Sequence, residues 1–239
     1  MFENKKILAI IPARGGSKGL PRKNLALVAG QTLLEMAISA SLGCNEIDNT
    51  VVSTDDEEIA TISRKHGVLV HNRSEEASND SGTAAEVVSE VLKWANYASI
   101  PHDLIVYLQP TSPLRTSEHI CKAFELIAGE NFPKCVSISE SLQNPYKSVV
   151  IHPTEGITPL FTEELVTSNR QTLPKVYYPN GAIYIFTSKE FLTSSQIPIR
   201  GAIPFVMSIE NSIDIDNIDD LNQAERLKKE QDAKLQDRK

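Results

Sequence analysis

The run Ile7-Leu8-Ala9-Ile10-Ile11 is short, uninterrupted and rich in β-branched side chains. That is the pattern of a strand buried on both faces of a parallel sheet. Thr32 to Leu42 then carries Leu33, Leu34, Ala37, Ile38 and Ser41 on one stripe, which predicts a helix. Val51 to Thr54 reads as a second strand, and it runs into Asp55-Asp56-Glu57-Glu58. Acidic residues there suit the first turn of a helix, and capping accounts for all four. Val68 to Val70 is a third strand, residues 72–82 are polar and irregular, and Thr83 to Tyr97 is helical. Asp103 to Leu108 is a fourth strand, Ser117 to Ala128 a helix, and Cys135 to Ile138 a fifth strand. Strands alternating with helices predict an α/β, Rossmann-like, mainly parallel sheet with helices on both faces, built from right-handed crossovers.

From Ser139 to Val176 that rhythm breaks. Residues 147–152 and 156–161 read as short strands, and Glu163 to Gln171 is polar. An insertion of this length is either a surface excursion with a hairpin or a segment with an interaction or active-site role. Core character returns at Tyr177, where Asn180-Gly181 predicts a tight turn opening an apolar strand. Ala202 to Met207 is a last strand candidate, and Ile218 to Leu235 a final helix. The expected organisation is one domain over 1–239, with 139–176 inserted in it.

The loop after the first strand carries the most chemistry. Ala13 to Asn24 contains Gly15, Gly16 and Gly19 together with Arg14, Lys18, Arg22 and Lys23, in a chain of net charge −7. Glycines let the backbone approach a ligand closely, and clustered cations suit a phosphate group. Its spacing is neither of the two familiar phosphate loops. Lys18 and Lys23 lack the following Ser or Thr of a Walker loop, and Arg14 stands where a dinucleotide turn needs its first glycine.

In open α/β sheets, ligands sit at the carboxyl ends of the strands. The fourth strand ends in Gln109-Pro110-Thr111-Ser112-Pro113-Leu114-Arg115, where two prolines fix a turn that aims Gln109 and the hydroxyls into the cleft. The same turn would cap the next helix through Thr116 or Ser117. Near the end of the chain, Asp214 and Asp216 lie two apart in Ile-Asp-Ile-Asp. In an extended segment both carboxylates would face one side, an oxygen-rich pair suited to Mg2+ or Mn2+. The competing reading, Asp216 or Asn217 as cap of the final helix, explains Asp216 but not Asp214.

Composition narrows the classes further. At 239 residues and 41% hydrophobic content the chain can bury a full core. An acidic balance argues against nucleic acid or an anionic membrane as partner. Cys44, Cys121 and Cys135 are widely spaced, which suits free thiols, and no cysteine or histidine falls at zinc-ligand spacing. With no signal-like or membrane-spanning apolar stretch, the expected location is cytoplasmic.

The loop, the Gln-Pro-Thr-Ser-Pro-Leu-Arg string, Pro145-Tyr146-Lys147, residues 170–174, Pro179-Asn180-Gly181 and Ser212-Ile-Asp-Ile-Asp216 together resemble the CMP-N-acylneuraminate synthetases, in the same order along the chain. The resemblance implies transfer of CMP from CTP to a nine-carbon 2-keto sugar acid, with release of pyrophosphate. It assigns the nucleotide to Arg14, Gly16, Ser17, Lys23, Asn24, Arg73 and, from a looser match in Asp80-Ser81-Gly82-Thr83, to Thr83. The acceptor falls to Gln109, Lys147, Arg170 and Asn180, and a divalent metal to Asp214 and Asp216. Arg14, Lys23 and the two aspartates are the expected catalytic set. The 139–176 insertion would be a dimerisation arm of a homodimer, reaching over the partner's active site. Two rivals stand beside this reading: a cytidylyltransferase for an octulosonate, pseudaminate or legionaminate, and a non-catalytic sugar-nucleotide sensor. A sensor would have no need of the acidic pair.

Overall fold

The computed structural model describes residues 2–79, 82–131 and 133–236. The first half holds β1 (Ile7–Pro12), β2 (Leu27–Val28), β3 (Gln31–Thr32), α1 (Leu33–Leu42), β4 (Asn49–Thr54), α2 (Glu57–Lys65), β5 (Leu69–Asn72), α3 (Glu75–Ser78) and α4 (Ala84–Tyr97). The second half holds β6 (Leu104–Tyr107), α5 (Ser117–Leu126), β7 (Cys135–Glu140), β8 (Val149–His152), β9 (Gly156–Pro159), α6 (Glu163–Thr167), β10 (Tyr177–Thr187), α7 (Ser188–Ser194), β11 (Ile203–Val206) and α8 (Ile218–Gln236).

Seven strands form the main sheet in the order β11-β7-β10-β6-β1-β4-β5. Alternation along β1 shows why it sits at the centre. Ile7, Ala9 and Ile11 pack into one core with Leu34 and Ile38 of α1, Ile59 of α2 and Phe124 of α5. Leu8 and Ile10 pack on the opposite face with Val88, Val91 and Leu92 of α4 and Phe191 of α7. All β1 residues from Ile7 to Ile11 are fully buried, so both faces are covered, as the apolar run predicts. A third cluster docks α8 through Ala224 against Val28, Leu33 and Ile215.

The predicted strands and major helices are present, with ends shifted by a residue or two. The exception is Asn180-Gly181, expected as a turn. These residues lie inside β10, a strand antiparallel to both β6 and β7. The register against β7 shifts between Pro179 and Tyr184, and Gly181 has φ +77°. The left-handed dihedral that Asn-Gly favours is thus spent on a strand irregularity instead of a chain reversal. The polar stretch 72–82 contains α3, capped by the Ser74 hydroxyl; Asp80 and Ser81 fall outside the described residues.

Within the insertion, β8 and β9 pair as a separate two-stranded antiparallel sheet beside α6. Its large apolar residues face outward: Ile151 is 85% and Ile157 71% exposed. Among the described residues, no helix is long and apolar enough to cross a membrane.

Candidate functional site

The glycine-rich loop leaves β1 at the carboxyl end of the sheet and is held there by the acidic residues after β4. Asp55 accepts the Gly15 N–H at 2.9 Å. Arg22, in the left-handed region at φ 54°, pairs with Asp56 at 3.2 Å and Glu58 at 2.7 Å. Asp56 also caps α2, accepting from the N–H groups of Glu58 and Ile59. Capping alone therefore does not account for the acidic run, because it also anchors the loop. From below, the buried Asn24 donates to the Arg14 carbonyl at 2.9 Å. The Arg14 guanidinium in turn donates to the carbonyls of Ser78 and Asn79.

A cleft of about 500 Å3 opens over this loop. Arg14, Ser17, Lys23, Asn24, Arg73, Thr83, Gln109 and Asp216 all line it, brought together from five separate segments. Arg73 donates to the Ser53 carbonyl at 2.7 Å, and burial pulls its pKa down. Thr83 caps α4, its hydroxyl engaged with the Glu86 N–H and carboxylate. Gly16 is exposed at the loop's outer edge, with open space around its α-carbon.

Of the acidic pair, Asp216 lines the cleft and Asp214 does not. Ile215 is fully buried against α8, while Asp214 and Asp216 stay at the surface. The Ile215 N–H donates to the Thr111 carbonyl at 2.9 Å, so this segment lies alongside the Gln109–Arg115 turn. Asn217 caps α8 by accepting the N–H groups of Asp219 and Asp220, which leaves the Asp216 carboxylate available. It faces the Lys23 ammonium at 3.0 Å. Although Asp214 keeps an exposed edge, protein crowding partly desolvates its carboxylate and raises its pKa. A hydrogen bond with Thr111 opposes that rise, and the neighbouring Asp216 adds to it. Gly19 joins loop to acidic segment: a Cβ there would lie 2.3 Å from the Asp216 carbonyl oxygen.

Three expected acceptor residues stand elsewhere in the chain. Asn180 is buried, accepting from Ser137 Oγ at 2.6 Å and donating to Ser212 Oγ at 2.8 Å. Its side chain ties β10 to β7 and to the segment before Asp214, and it does not line the cleft. Gly181 beside it leaves room for Gln109, whose Oε1 would be 2.3 Å from any Cβ at that position. Lys147 and Arg170 belong to the insertion. Lys147 donates to the Val166 carbonyl at 2.8 Å, Arg170 is exposed, and neither lines this chain's own cleft.

Arg115 and Tyr107 also belong to the site's construction. Arg115 is 3% exposed and donates to the carbonyls of Gln109 and Ala182, at 2.9 and 3.2 Å. Burial lowers its pKa to about 10, so it stays charged at neutral pH. Tyr107 forms part of the cleft floor, its ring edge-on to Tyr184. In the sequence Tyr107 only continues an apolar strand, and Arg115, although it ends the Gln-Pro-Thr-Ser-Pro-Leu-Arg string, shows no sign there of its burial.

Such a cleft, lined by Arg14, Lys18, Lys23 and Arg73 with Asp216 against Lys23, lies at the carboxyl ends of the strands of a mainly parallel α/β sheet, a setting suited to a small anionic ligand. Residues 8–236 match the cytidylyltransferase family, and the chain belongs to it. It is 34% identical over 216 residues to the N-acylneuraminate cytidylyltransferase of Escherichia coli O18:K1:H7, covering 89% of this chain and 49% of that protein. It is also 34% identical to the CMP-N,N'-diacetyllegionaminic acid synthase of Legionella pneumophila, covering 93% of this chain and 96% of that one. The chain spans about half the length of the N-acylneuraminate cytidylyltransferases it matches. Its fold is shared with a CMP:2-keto-3-deoxy-manno-octonic acid synthetase solved with CTP, at TM-score 0.69 and 16% identity over 95% of this chain and all of that one.

Proposed function

We propose that this chain transfers CMP from CTP to the anomeric hydroxyl of a nine-carbon 2-keto sugar acid, an N-acylneuraminate or a related nonulosonate, and releases pyrophosphate. The observation that carries this reading is the convergence of Arg14, Lys23, Asp216 and Gln109 on one cleft. The cations suit the triphosphate, and the uncharged Gln109 amide suits the hydroxyls of the acceptor. The hydroxyl attacks the α-phosphorus in line, the bond to the β-phosphate breaks, and its electron pair leaves with pyrophosphate. Such a transfer depends on positioning and charge neutralisation more than on covalent participation by the protein. Lys23 and the loop N–H groups neutralise the departing charge, while Gln109, braced by Arg115 and Gly181, orients the acceptor.

Asp214 and Asp216 would hold Mg2+ or Mn2+. The donors are all oxygen, they lie two apart in the chain, and Asp216 already faces a cation in Lys23. When bound, such an ion supplies Lewis-acid polarisation of the α-phosphate and lowers the pKa of the attacking hydroxyl.

The same proposal includes a homodimer in the cytoplasm. The insertion's outward apolar residues favour a protein partner, and Lys147 and Arg170 would serve the acidic acceptor in the neighbouring cleft. Similarity to the legionaminate enzyme over nearly its whole length favours a nonulosonate acceptor over an octulosonate. Pyrophosphate release measured with CTP, UTP, ATP and GTP against a panel of keto-sugar acids tests the assignment. CTP with a nonulosonate should be the productive pair. Turnover confined to an octulosonate, or nucleotide hydrolysis indifferent to any sugar acid, would overturn it.

A further inference from the structure

Away from the cleft, on the flank formed by α1 and α5, two cysteines distant in sequence meet. Helix α1 ends at Gly43, whose backbone lies so close to Ser117 that a Cβ would sit 2.9 Å from that residue's own. This tight approach brings Cys44 against Cys121 in α5, Sγ to Sγ 3.4 Å. Glu46 completes the group, its Oε2 accepting from Cys44 Sγ at 3.0 Å and from Cys121 Sγ at 3.6 Å. Cys44 is buried, and Glu46 and Cys121 are half-buried. All three ligand atoms lie within 4.8 Å of one another.

We propose that Cys44, Glu46 and Cys121 bind one thiophilic divalent cation of the zinc class, with water in the fourth position. A tetrahedral zinc ion with Zn–S of about 2.3 Å and Zn–O of about 2.0 Å sets S–S edges of about 3.8 Å and S–O edges of about 3.5 Å. The observed edges of 3.4, 3.0 and 3.6 Å are within half an ångström of that triangle, and side-chain rotation on the turn after α1 and on α5 can open it by that much. A carboxylate held against both sulfurs also argues against a disulfide pair. Thiol–disulfide exchange needs a thiolate, which an adjacent negative charge opposes, whereas a divalent cation offsets all three charges. Binding exchanges the two thiol protons for the metal and changes no oxidation state. The ion would pin the end of α1 to α5.

Cobalt(II) added to the reduced protein tests the site. One equivalent should produce thiolate-to-cobalt charge-transfer absorption in the near ultraviolet, release two protons, and be displaced by zinc. The Asp214–Asp216 pair contains no sulfur and cannot give that band. Cys44→Ser and Cys121→Ser should each abolish it, and Cys135→Ser should leave it intact. Losing even an outer-shell partner costs about tenfold in metal affinity, so Glu46→Gln should weaken binding at least that much. Absence of the band in the wild-type protein would overturn the proposal whether or not the variants fold. So would its persistence in Cys44→Ser, or formation of a Cys44–Cys121 disulfide in air despite equimolar zinc.

Discussion

Gly16 and Gly19 lie three positions apart in one loop, yet their surroundings differ completely. Nothing lies within 4 Å of a Cβ at Gly16, whereas one at Gly19 would meet a backbone oxygen of Asp216 at 2.3 Å. A backbone atom cannot swing aside, so Gly19→Ala must part the loop from the acidic segment. We expect Gly16→Ala to retain activity and Gly19→Ala to lose at least about tenfold in kcat/KM, on the scale set by small misplacements of catalytic groups. Steady-state kinetics with a thermal melt as folding control would check this; equal behaviour of the two would contradict it. Arg115 supports a second prediction. Its removal strands the carbonyls of Gln109 and Ala182, so Arg115→Ala should destabilise the protein by about 3 kcal/mol or more, measured by denaturant unfolding. At this scale the sequence discloses charged residues that face a ligand better than those that face the protein. Lys23 and Asp216 stand out as members of a cationic glycine-rich loop and of an acidic pair. Asn180 looks like a ligand contact but spends its amide on Ser137 and Ser212, a partnership visible only after β10 and β7 have paired.

At the scale of elements, two segments nearly two hundred residues apart are joined by the Lys23–Asp216 pair. Asp216 is 76% exposed, and pairs of this kind contribute about 0–1 kcal/mol, so ligands can part them readily. Triphosphate and metal would then each claim one partner. Asp216→Asn, which removes a negative charge facing the nucleotide, should leave metal-free CTP binding intact or tighter while turnover falls by orders of magnitude. Calorimetry in chelator and rate assays in magnesium would show this, and weakened binding with unchanged turnover would refute it. Helix α1 supplies a pH test. Its capping box hydrogen-bonds Glu35 to the backbone N–H and then the hydroxyl of Thr32, which lowers the Glu35 pKa. A depressed folded pKa gives stability that is present above the unfolded value and lost as pH falls through the folded one. Glu35→Gln should therefore melt below wild type near neutrality and converge with it in acid, a difference followed by Tm against pH. The parallel strands were legible because burial on both faces leaves continuous apolar runs. β10 was only half legible. Its apolar end reads as a strand, but an Asn-Gly pair that ordinarily reverses a chain here makes an irregularity. The hairpin of β2 and β3 is too short to leave a period.

For the molecule as a whole, the insertion is the feature that a single chain leaves unexplained. Ile151, Ile157 and Leu142 project outward at 71–85% exposure, and Lys147 and Arg170 belong to the same insertion and do not line the cleft. The break in α/β rhythm drew attention to this segment, but what covers an apolar surface depends on a second molecule and leaves no period in the first. If the arm serves a neighbour, Lys147→Ala and Lys23→Ala homodimers should each be nearly inactive. Mixing them should restore one working site per heterodimer. An active monomer by sedimentation, or no recovery despite demonstrated subunit exchange, would exclude shared sites. The central claim, that this cleft joins CMP to a sugar acid, is tested most directly by the product itself. An N-acylneuraminate carrying heavy oxygen at its anomeric hydroxyl, incubated with CTP and magnesium, should yield a CMP-sugar that keeps the heavy atom in the bridge to phosphorus, and Lys23→Ala should yield almost none. Pyrophosphate formed without that product, or a CMP-sugar lacking the label when the unreacted sugar still holds it, would contradict the account.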